Sequence, residues 1–206
     1  MSPPDTDPAV IAPSARADSR RADLVRAAYD LIVAHGLEGL RTRDIAARAG
    51  VNIATLHYYF PTKEALIAGV AEHLAHQFIT VGAPPVVGGP SPALDRLCQE
   101  FADARVYQNE RPDMLVVMQE LMLRGRRDPA VAAIVAPSTQ GWRIGLERMV
   151  AAGIAEGVFR PTLDQAAAAD LVMAALGGVL LLNLPPPALT RVCAGIEQYL
   201  CVPEEE

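Results

Sequence analysis

The segment from residue 42 to residue 60 constrains the fold of this chain more than any other. It reads TRDIAARAGVNIATLHYYF and places the small side chain of Ala46 four residues before Gly50. A small side chain lets two helices approach closely where they cross, and glycine accepts the positive φ that a tight reversal requires. Asn52 follows the turn as a favourable N-cap for a second helix. The spacing therefore predicts a helix-turn-helix.

The apolar residues of this segment are spaced to bury one side of each helix. The inward set, which we expect to pack on the preceding helix, is Ile45, Ala49, Val51, Leu56 and Tyr59. Asn52 would then direct the first turn of the second helix towards the major groove of DNA. The outward positions of that helix are predicted to be Ala54, Thr55, His57 and Tyr58.

Two kinds of DNA contact are expected from these positions. Thr55 offers a methyl group for thymine and a hydroxyl for a base edge, and the short side chain of Ala54 lets the backbone approach the groove floor. Hydroxyls, cations and amides at helix ends and edges can instead reach phosphate oxygens. The residues predicted to make phosphate contacts are Thr42, Arg43, Tyr59 and Lys63.

The alternative is a plain αα-hairpin in a helical core, with His57, Tyr58 and Tyr59 as packing aromatics. Polar aromatic and hydroxyl side chains crowded into one short helix, with Lys63 soon after, are unusual in a core. The charge distribution also favours DNA. The whole chain carries a net charge of −6, but residues 14–66 hold eight basic and six acidic residues, which leaves 10 basic and 18 acidic residues elsewhere. A polyanion would meet the N-terminal quarter.

Helical periodicity and abundant Ala, Leu and Val predict an all-α fold of about nine helices. Residues 1–17, rich in proline, are predicted to be a disordered tail, residues 18–62 the DNA-binding domain and residues 63–206 a second helical domain. The Gly/Pro-rich segment at residues 82–92 is interpreted as a hinge or loop. The expected helices are Arg20 to His35, Arg43 to Ala49, Ile53 to Tyr59, Thr62 to about Phe78, Ala93 to Gln108, Pro112 to Arg126, Ala130 to Glu156, Leu163 to Leu184 and Ala188 to Leu200.

Other features concern the cellular compartment. Cys98, Cys193 and Cys201 are odd in number and lack metal-type spacing, which predicts reduced, structural thiols. The N-terminus lacks the basic start and apolar run of a secretion signal. The longest apolar stretch, residues 171–184, is shorter than the ~20 residues of a membrane span. We therefore expect a cytoplasmic protein without a membrane anchor.

The segment from Arg20 to about Leu74 resembles the DNA-binding domain of the tetracycline-repressor family, also called the TetR/AcrR family. The resemblance rests on GLEGLRTRDIAARAGV, TLHYYF and PTKEAL, and GVFRP at residues 157–161 is similar to a linker before the family's eighth helix. It implies a mostly homodimeric, nine-helix protein with three DNA-binding helices and a C-terminal half for ligand and dimer contacts. The family usually has tyrosine at the position of His57, so this residue is expected to bind phosphate more weakly or in a pH-dependent way.

A small-molecule site is expected in the C-terminal half. Met114, Met118, Leu121 and Met122 share one helix face, and thioethers adapt to irregular ligands, although such a stripe is also typical of ordinary core. The acidic balance of this half favours an apolar or aromatic effector over an anionic one. The candidate ligand-binding residues are Phe101, Tyr107, Met114, Met118, Leu121, Met122, Trp142, Leu146, Met149 and Met173.

The last two predicted helices are candidates for a homodimer interface. Residues 163–184 are apolar around almost the whole helix, so a second subunit or the centre of a monomeric bundle must cover them. The resemblance implies that an effector displaces the fourth helix and changes the separation of the two recognition helices. The resulting prediction is a ligand-responsive repressor that binds a pseudo-palindromic operator as a dimer.

Rival functions have less support in the sequence. Glu72, His73 and His76 lack the HExxH order of a metal site and have no third ligand, and there is no phosphate-binding glycine loop or serine elbow. We predict no catalytic residues, no metal and no cofactor. A transcriptional activator on the same frame, or a small-molecule binding protein without operator binding, remain the alternatives.

Overall fold

The computed structural model describes residues 13–203, with side chains from residue 17 onward, and confirms the all-α prediction. Nine helices lie in this part of the chain, and its isolated antiparallel bridge joins Phe159 to Cys201. The helices are α1 Pro13–His35, α2 Thr42–Arg48, α3 Ile53–Tyr59, α4 Lys63–Thr80, α5 Pro92–Asn109, α6 Pro112–Gly125, α7 Pro129–Ala155, α8 Gln165–Leu181 and α9 Pro186–Leu200.

Several helix ends differ from those predicted. α1 begins at Pro13, so residues 13–17, which we expected to be tail, are helical. Proline is compatible with the first turn of a helix because a backbone N–H at that position would have no partner within the helix. The rest of the predicted tail lies outside the described residues. Thr42 was expected to cap α2 but is its first residue, and Arg41 precedes it in an extended conformation without a side-chain cap.

The two ends of α8 also lie inside the predicted range. Asp164 caps the start, where its Oδ1 accepts a hydrogen bond from the Ala167 N–H at 2.8 Å. At the other end the helix stops at Leu181, because Asn183 adopts a positive φ of 50° and Pro185 follows. Apolar periodicity alone did not reveal these local stop signals.

The chain divides into two compact units at Val70 and Ala71. In the first unit, Ile45 and Leu56 are buried, whereas the other predicted inward residues are half-buried; these are Ala49, Val51 and Tyr59. The turn between α2 and α3 is made by Gly50 at φ 66°, as the sequence predicted. The division at residues 62 and 63 made from the sequence stays a prediction about domains.

The core of the second unit is formed by α5, α7, α8 and α9. Phe159 is fully buried in it, and a Cβ added to Gly153 would overlap the Phe159 ring. Arg160 then secures the end of α9, because its Nε donates to the Cys201 carbonyl and its Nη2 to the Gln198 carbonyl, both at 2.9 Å. The GVFRP segment is therefore a structural clamp between the α7–α8 connection and the end of α9.

The Gly/Pro-rich segment between α4 and α5 is a loop held along α5. Three side chains one helical turn apart accept backbone hydrogen bonds from it: Asp95 from Gly89 at 2.9 Å, Gln99 from Val86 at 2.7 Å and Asp103 from Ala83 at 2.8 Å. These bonds favour the loop interpretation over the hinge interpretation.

Candidate nucleic-acid interface

Helix α3 is only seven residues long, and two kinds of interaction hold it in place. Its N-cap Asn52 accepts hydrogen bonds through Oδ1 from the Thr55 backbone N–H at 2.7 Å and from the Thr55 hydroxyl at 2.9 Å. The side chains of Leu56, within α3, and Phe60, directly after it, are buried. Because so short a helix is marginal alone, this cap and these two anchors determine whether α3 is formed and where it lies.

The opposite side of α3 is open to solvent. Ala54, His57 and Tyr58 are exposed, with Tyr58 at 79 %, and the Tyr58 ring meets the Tyr59 ring edge-on at a centroid distance of 5.1 Å. Thr55 is half-buried. Since its hydroxyl already donates to Asn52, Thr55 can offer DNA a hydrogen-bond acceptor while keeping the cap.

A small cleft of about 80 Å³ lies beside α3 and brings together three of the predicted contact residues, Thr42, His57 and Lys63. Its polar lining consists of Thr42, His57, Thr62 and Lys63, and its apolar lining includes Leu40, Ile45, Leu56, Phe60 and Leu66. Thr62 caps α4, because its Oγ1 accepts a hydrogen bond from the Ala65 N–H at 3.1 Å. Hydroxyls, a lysine and a helix N-terminus on one cleft form a suitable environment for a phosphate oxygen.

The remaining predicted DNA contacts lie outside this cleft. Arg43 is exposed on α2, and Tyr59, the last residue of α3, is half-buried. The Arg48 side chain was not predicted to matter, yet it donates from Nε and Nη2 to Asp30 of α1 at 3.1 and 2.8 Å. The two residues are 18 positions apart, so the sequence does not predict that they pair. Their hydrogen bonds link α2 to α1.

The predicted ligand residues are only partly gathered together. Phe101, Leu146 and Met149 belong to the core cluster of the second unit, and Trp142 and Met173 pack against it. Met114 and Leu121 are buried and Met118 and Met122 half-buried on α6. Packing of this kind is shared by core and pocket residues, so their role as ligand contacts stays a prediction.

Trp142 has a polar partner that sequence analysis missed. Its indole Nε1 donates to Oε2 of Glu100 at 3.0 Å, and Arg96 pairs with Oε1 of the same carboxylate at 2.6 Å. Burial raises the pKa of Glu100, against the lowering effect of Arg96 and of the Trp142 hydrogen bond. Glu100 lies among other charged residues of α5, so the sequence does not indicate that this glutamate is buried.

Tyr107 connects α5 to the end of α4. Its hydroxyl donates to the Phe78 carbonyl at 3.0 Å, and the two rings meet edge-on with centroids 5.0 Å apart. Burial raises the pKa of the Tyr107 phenol, so the hydroxyl keeps its proton and remains a donor throughout the physiological range. The same region holds Gln77, whose Oε1 accepts a hydrogen bond from Arg111 at 3.2 Å.

Comparison with known proteins agrees with this geometry. The family model for bacterial regulatory proteins of the tetR family matches residues 24–70, and the model for the C-terminal part of BetI-type transcriptional repressors matches residues 91–198. The chain belongs to the TetR family. It is therefore a transcriptional regulator and not an enzyme.

Individual TetR-family proteins share limited sequence identity with this chain. The chain is 38 % identical over 61 residues to the class A tetracycline repressor of transposon 1721 from Escherichia coli, a match that spans 30 % of this chain and 28 % of that protein. A transcriptional regulator from Rhodococcus sp. Rha1 has 25 % identity and a TM-score of 0.71 over 89 % of this chain and 99 % of that one. A TetR regulator from Haloarcula marismortui, at 21 % identity, shares the fold, with a TM-score of 0.74 over 88 % of this chain and 96 % of that one.

Other predicted features can be located in this TetR-family fold. The three cysteines are unpaired thiols, and burial is the main cause that raises the pKa of each. Between residues 13 and 203, no cluster of three or more His, Cys, Asp or Glu side chains is arranged to hold a metal ion. No helix in the same range has the length and hydropathy to cross a membrane.

Proposed function

We propose that this TetR-family regulator is a repressor that binds a pseudo-palindromic operator as a homodimer and is released by a small apolar or aromatic molecule. One observation carries the DNA-binding part of the proposal. The short helix α3 is capped by Asn52 and anchored by Leu56, while Ala54, His57 and Tyr58 face solvent. Such a fixed helix with exposed small and polar side chains fits the major groove.

The cleft beside α3 supplies the contacts that position the protein on DNA. Lys63 contributes a positive charge and Thr62 a hydroxyl at the N-terminus of α4, and Thr42 contributes a second hydroxyl from the start of α2. These groups would bind the phosphate backbone without selecting bases. His57, which also lines the cleft, would add a further phosphate contact.

A homodimer is supported by the surface of α8. One face of this helix is buried in the core through Val172 and Leu176, but the other face leaves apolar residues exposed in a single chain. That face consists of Ala167, Leu171, Ala174 and Leu181, which are spaced by one or two helical turns, and the exposed Leu182 follows. A second copy of the chain would cover this surface, as a monomer leaves large apolar patches only rarely.

The effector would act through α4. The C-terminal end of this helix is tied to α5 by the Tyr107–Phe78 hydrogen bond and to Arg111 through Gln77. A ligand bound in the second unit and in contact with Tyr107 would displace α4. Because the N-terminus of α4 carries Lys63, the displacement would weaken operator binding. A difference of a few kcal/mol in ligand affinity between the two arrangements is sufficient.

The test is a fluorescence-anisotropy titration against the intergenic DNA beside the protein's own gene, at several salt concentrations. We expect tight, salt-sensitive binding, and we expect Lys63→Ala to reduce the slope of log affinity against log salt by about one. Arg148→Ala, which removes one exposed positive charge from α7, is the matched control and should leave the slope unchanged. Equal slopes for wild type and Lys63→Ala would remove the proposed phosphate site.

A further inference from the structure

Gln108, in the last turn of α5, has a buried hydrogen-bond acceptor without a partner. Its Nε2 donates to the backbone carbonyl of Leu184 at 2.7 Å. Its Oε1 is shielded from solvent and makes no hydrogen bond, and it is the one buried side-chain nitrogen or oxygen between residues 17 and 203 in that condition. A buried acceptor without a partner destabilises the fold, so a donor that would satisfy it is to be sought.

The orientation of this amide is fixed by its neighbour. If the Gln108 amide were turned over, Oε1 would face the Leu184 carbonyl oxygen, and two acceptors at 2.7 Å repel each other. The nitrogen must therefore remain on Leu184. The acceptor is left pointing at a position where only an N–H or O–H group can satisfy it.

The position of Gln108 links it to the predicted effector residues. Gln119 of α6 donates in the same manner, from Nε2 to the Leu181 carbonyl at 2.6 Å, so side chains of α5 and α6 both bind the end of α8. Tyr107 directly precedes Gln108 in the chain, and Met118 and Met122 flank Gln119 on α6. The orphaned acceptor thus lies where α5, α6 and the end of α8 converge.

We infer that Gln108 Oε1 is the polar recognition point of the effector site and accepts a hydrogen bond from the ligand. This inference rests on the proposed function, in which the second unit binds a small molecule. It narrows the ligand to an apolar or aromatic body that carries an N–H or O–H donor. A ligand that offers only acceptors at this point, such as a carboxylate, would face Oε1 without a hydrogen bond and is disfavoured.

The binding would also reach the surface that we propose for the dimer. The Gln108 amide holds the Leu184 carbonyl, and Leu182 and Leu184 are exposed beside the apolar face of α8. A ligand donor that binds Oε1 interacts with the same amide that holds the turn between α8 and α9. Effector recognition and the geometry of the α8–α9 turn are therefore coupled through one side chain.

The experiment compares matched probes that differ only in the donor. Isothermal titration measures indole against indene, p-cresol against p-xylene, and cyclohexanol against methylcyclohexane, on the full chain. We expect at least one donor-bearing probe to bind the wild type about tenfold more tightly than its partner, a free-energy difference of about 1.4 kcal/mol. Gln108→Met should reduce that ratio to nearly one.

Gln119→Met is the matched control, because Gln119 also binds an α8 carbonyl but leaves no buried acceptor without a partner. It should keep the tenfold ratio. The inference is overturned if no probe pair is distinguished by the wild type, which would mean that a water molecule serves Oε1, or if the ratio survives in Gln108→Met. Titrations of Gln108→Met and Gln119→Met with operator DNA, without probe, separate the Gln108 proposal from the DNA-binding proposal. If both variants bind DNA as tightly as the wild type, the DNA-binding proposal stands whatever the probe titrations show.

Discussion

Replacement of Asn52 by alanine is a direct test of how α3 is held. The change removes the acceptor of the Thr55 N–H and Thr55 hydroxyl bonds, at 2.7 and 2.9 Å. Loss of an N-cap of this kind costs about 1 kcal/mol. In a seven-residue helix the loss falls on the whole element, so α3 should fray in the folded protein.

The effect on DNA binding follows from the same free energy. A cost of about 1 kcal/mol lowers the formed fraction of each recognition helix by at most about fivefold, so a dimer that uses two of them should lose up to about 25-fold in operator affinity. Urea denaturation measures the stability and fluorescence anisotropy the affinity. Both quantities are to be compared with the wild type at one salt concentration, because phosphate contacts make affinity depend on salt.

Asn52→Ser provides the control. Serine is about as good an N-cap as asparagine, and it adds no charge near DNA, so it should restore most of the stability and of the affinity. The proposed role of the cap would be wrong if Asn52→Ala matched the wild type in both measurements. The role would also be wrong if Asn52→Ser were as defective as Asn52→Ala, because the asparagine side chain would then matter for something other than the cap.

Two further predictions concern the second unit. Gly153→Ala should lower the stability by about 1 to 3 kcal/mol, seen as a lower Tm, because the new methyl group overlaps the buried Phe159 ring; an unchanged Tm would contradict the close packing. Because burial raises the pKa of Glu100 above its ordinary 4.5, the folded protein holds this proton more tightly than the unfolded chain, and the resulting stability is present below pH 4.5 and lost as pH rises through the raised value. Urea denaturation from pH 4 upward should show this loss in the wild type and a flatter profile in Glu100→Gln, and identical profiles would argue against the burial effect.

The helix-turn-helix could be predicted because its determinants are local. Ala46, Gly50 and Asn52 lie within seven residues, and each acts on the backbone beside it. The turn glycine at φ 66° and the Asn52 cap are both present in the structure. Thr42 was misplaced as a cap for a related reason: Arg41 and Thr42 are adjacent, and residue type alone does not fix a boundary to one residue.

The second unit was harder to predict because its interactions join distant parts of the chain. The Gln108–Leu184 bond spans 76 residues and the Trp142–Glu100 bond 42. Helical periodicity shows which face of each helix is apolar but not which polar group on another helix it will meet. The sequence therefore predicted the number of helices and their approximate ranges, and left the loop along α5 and the orphaned acceptor to the structure.

The central claim, that paired α3 helices of a dimer recognise an operator, is tested most directly by selection of binding sites from random DNA followed by footprinting. We expect two similar half-sites in inverted orientation, with centres about 34 to 36 Å apart or a multiple of that spacing, and protection of both. Selection of a single unpaired half-site, or no enrichment above random DNA, would contradict it.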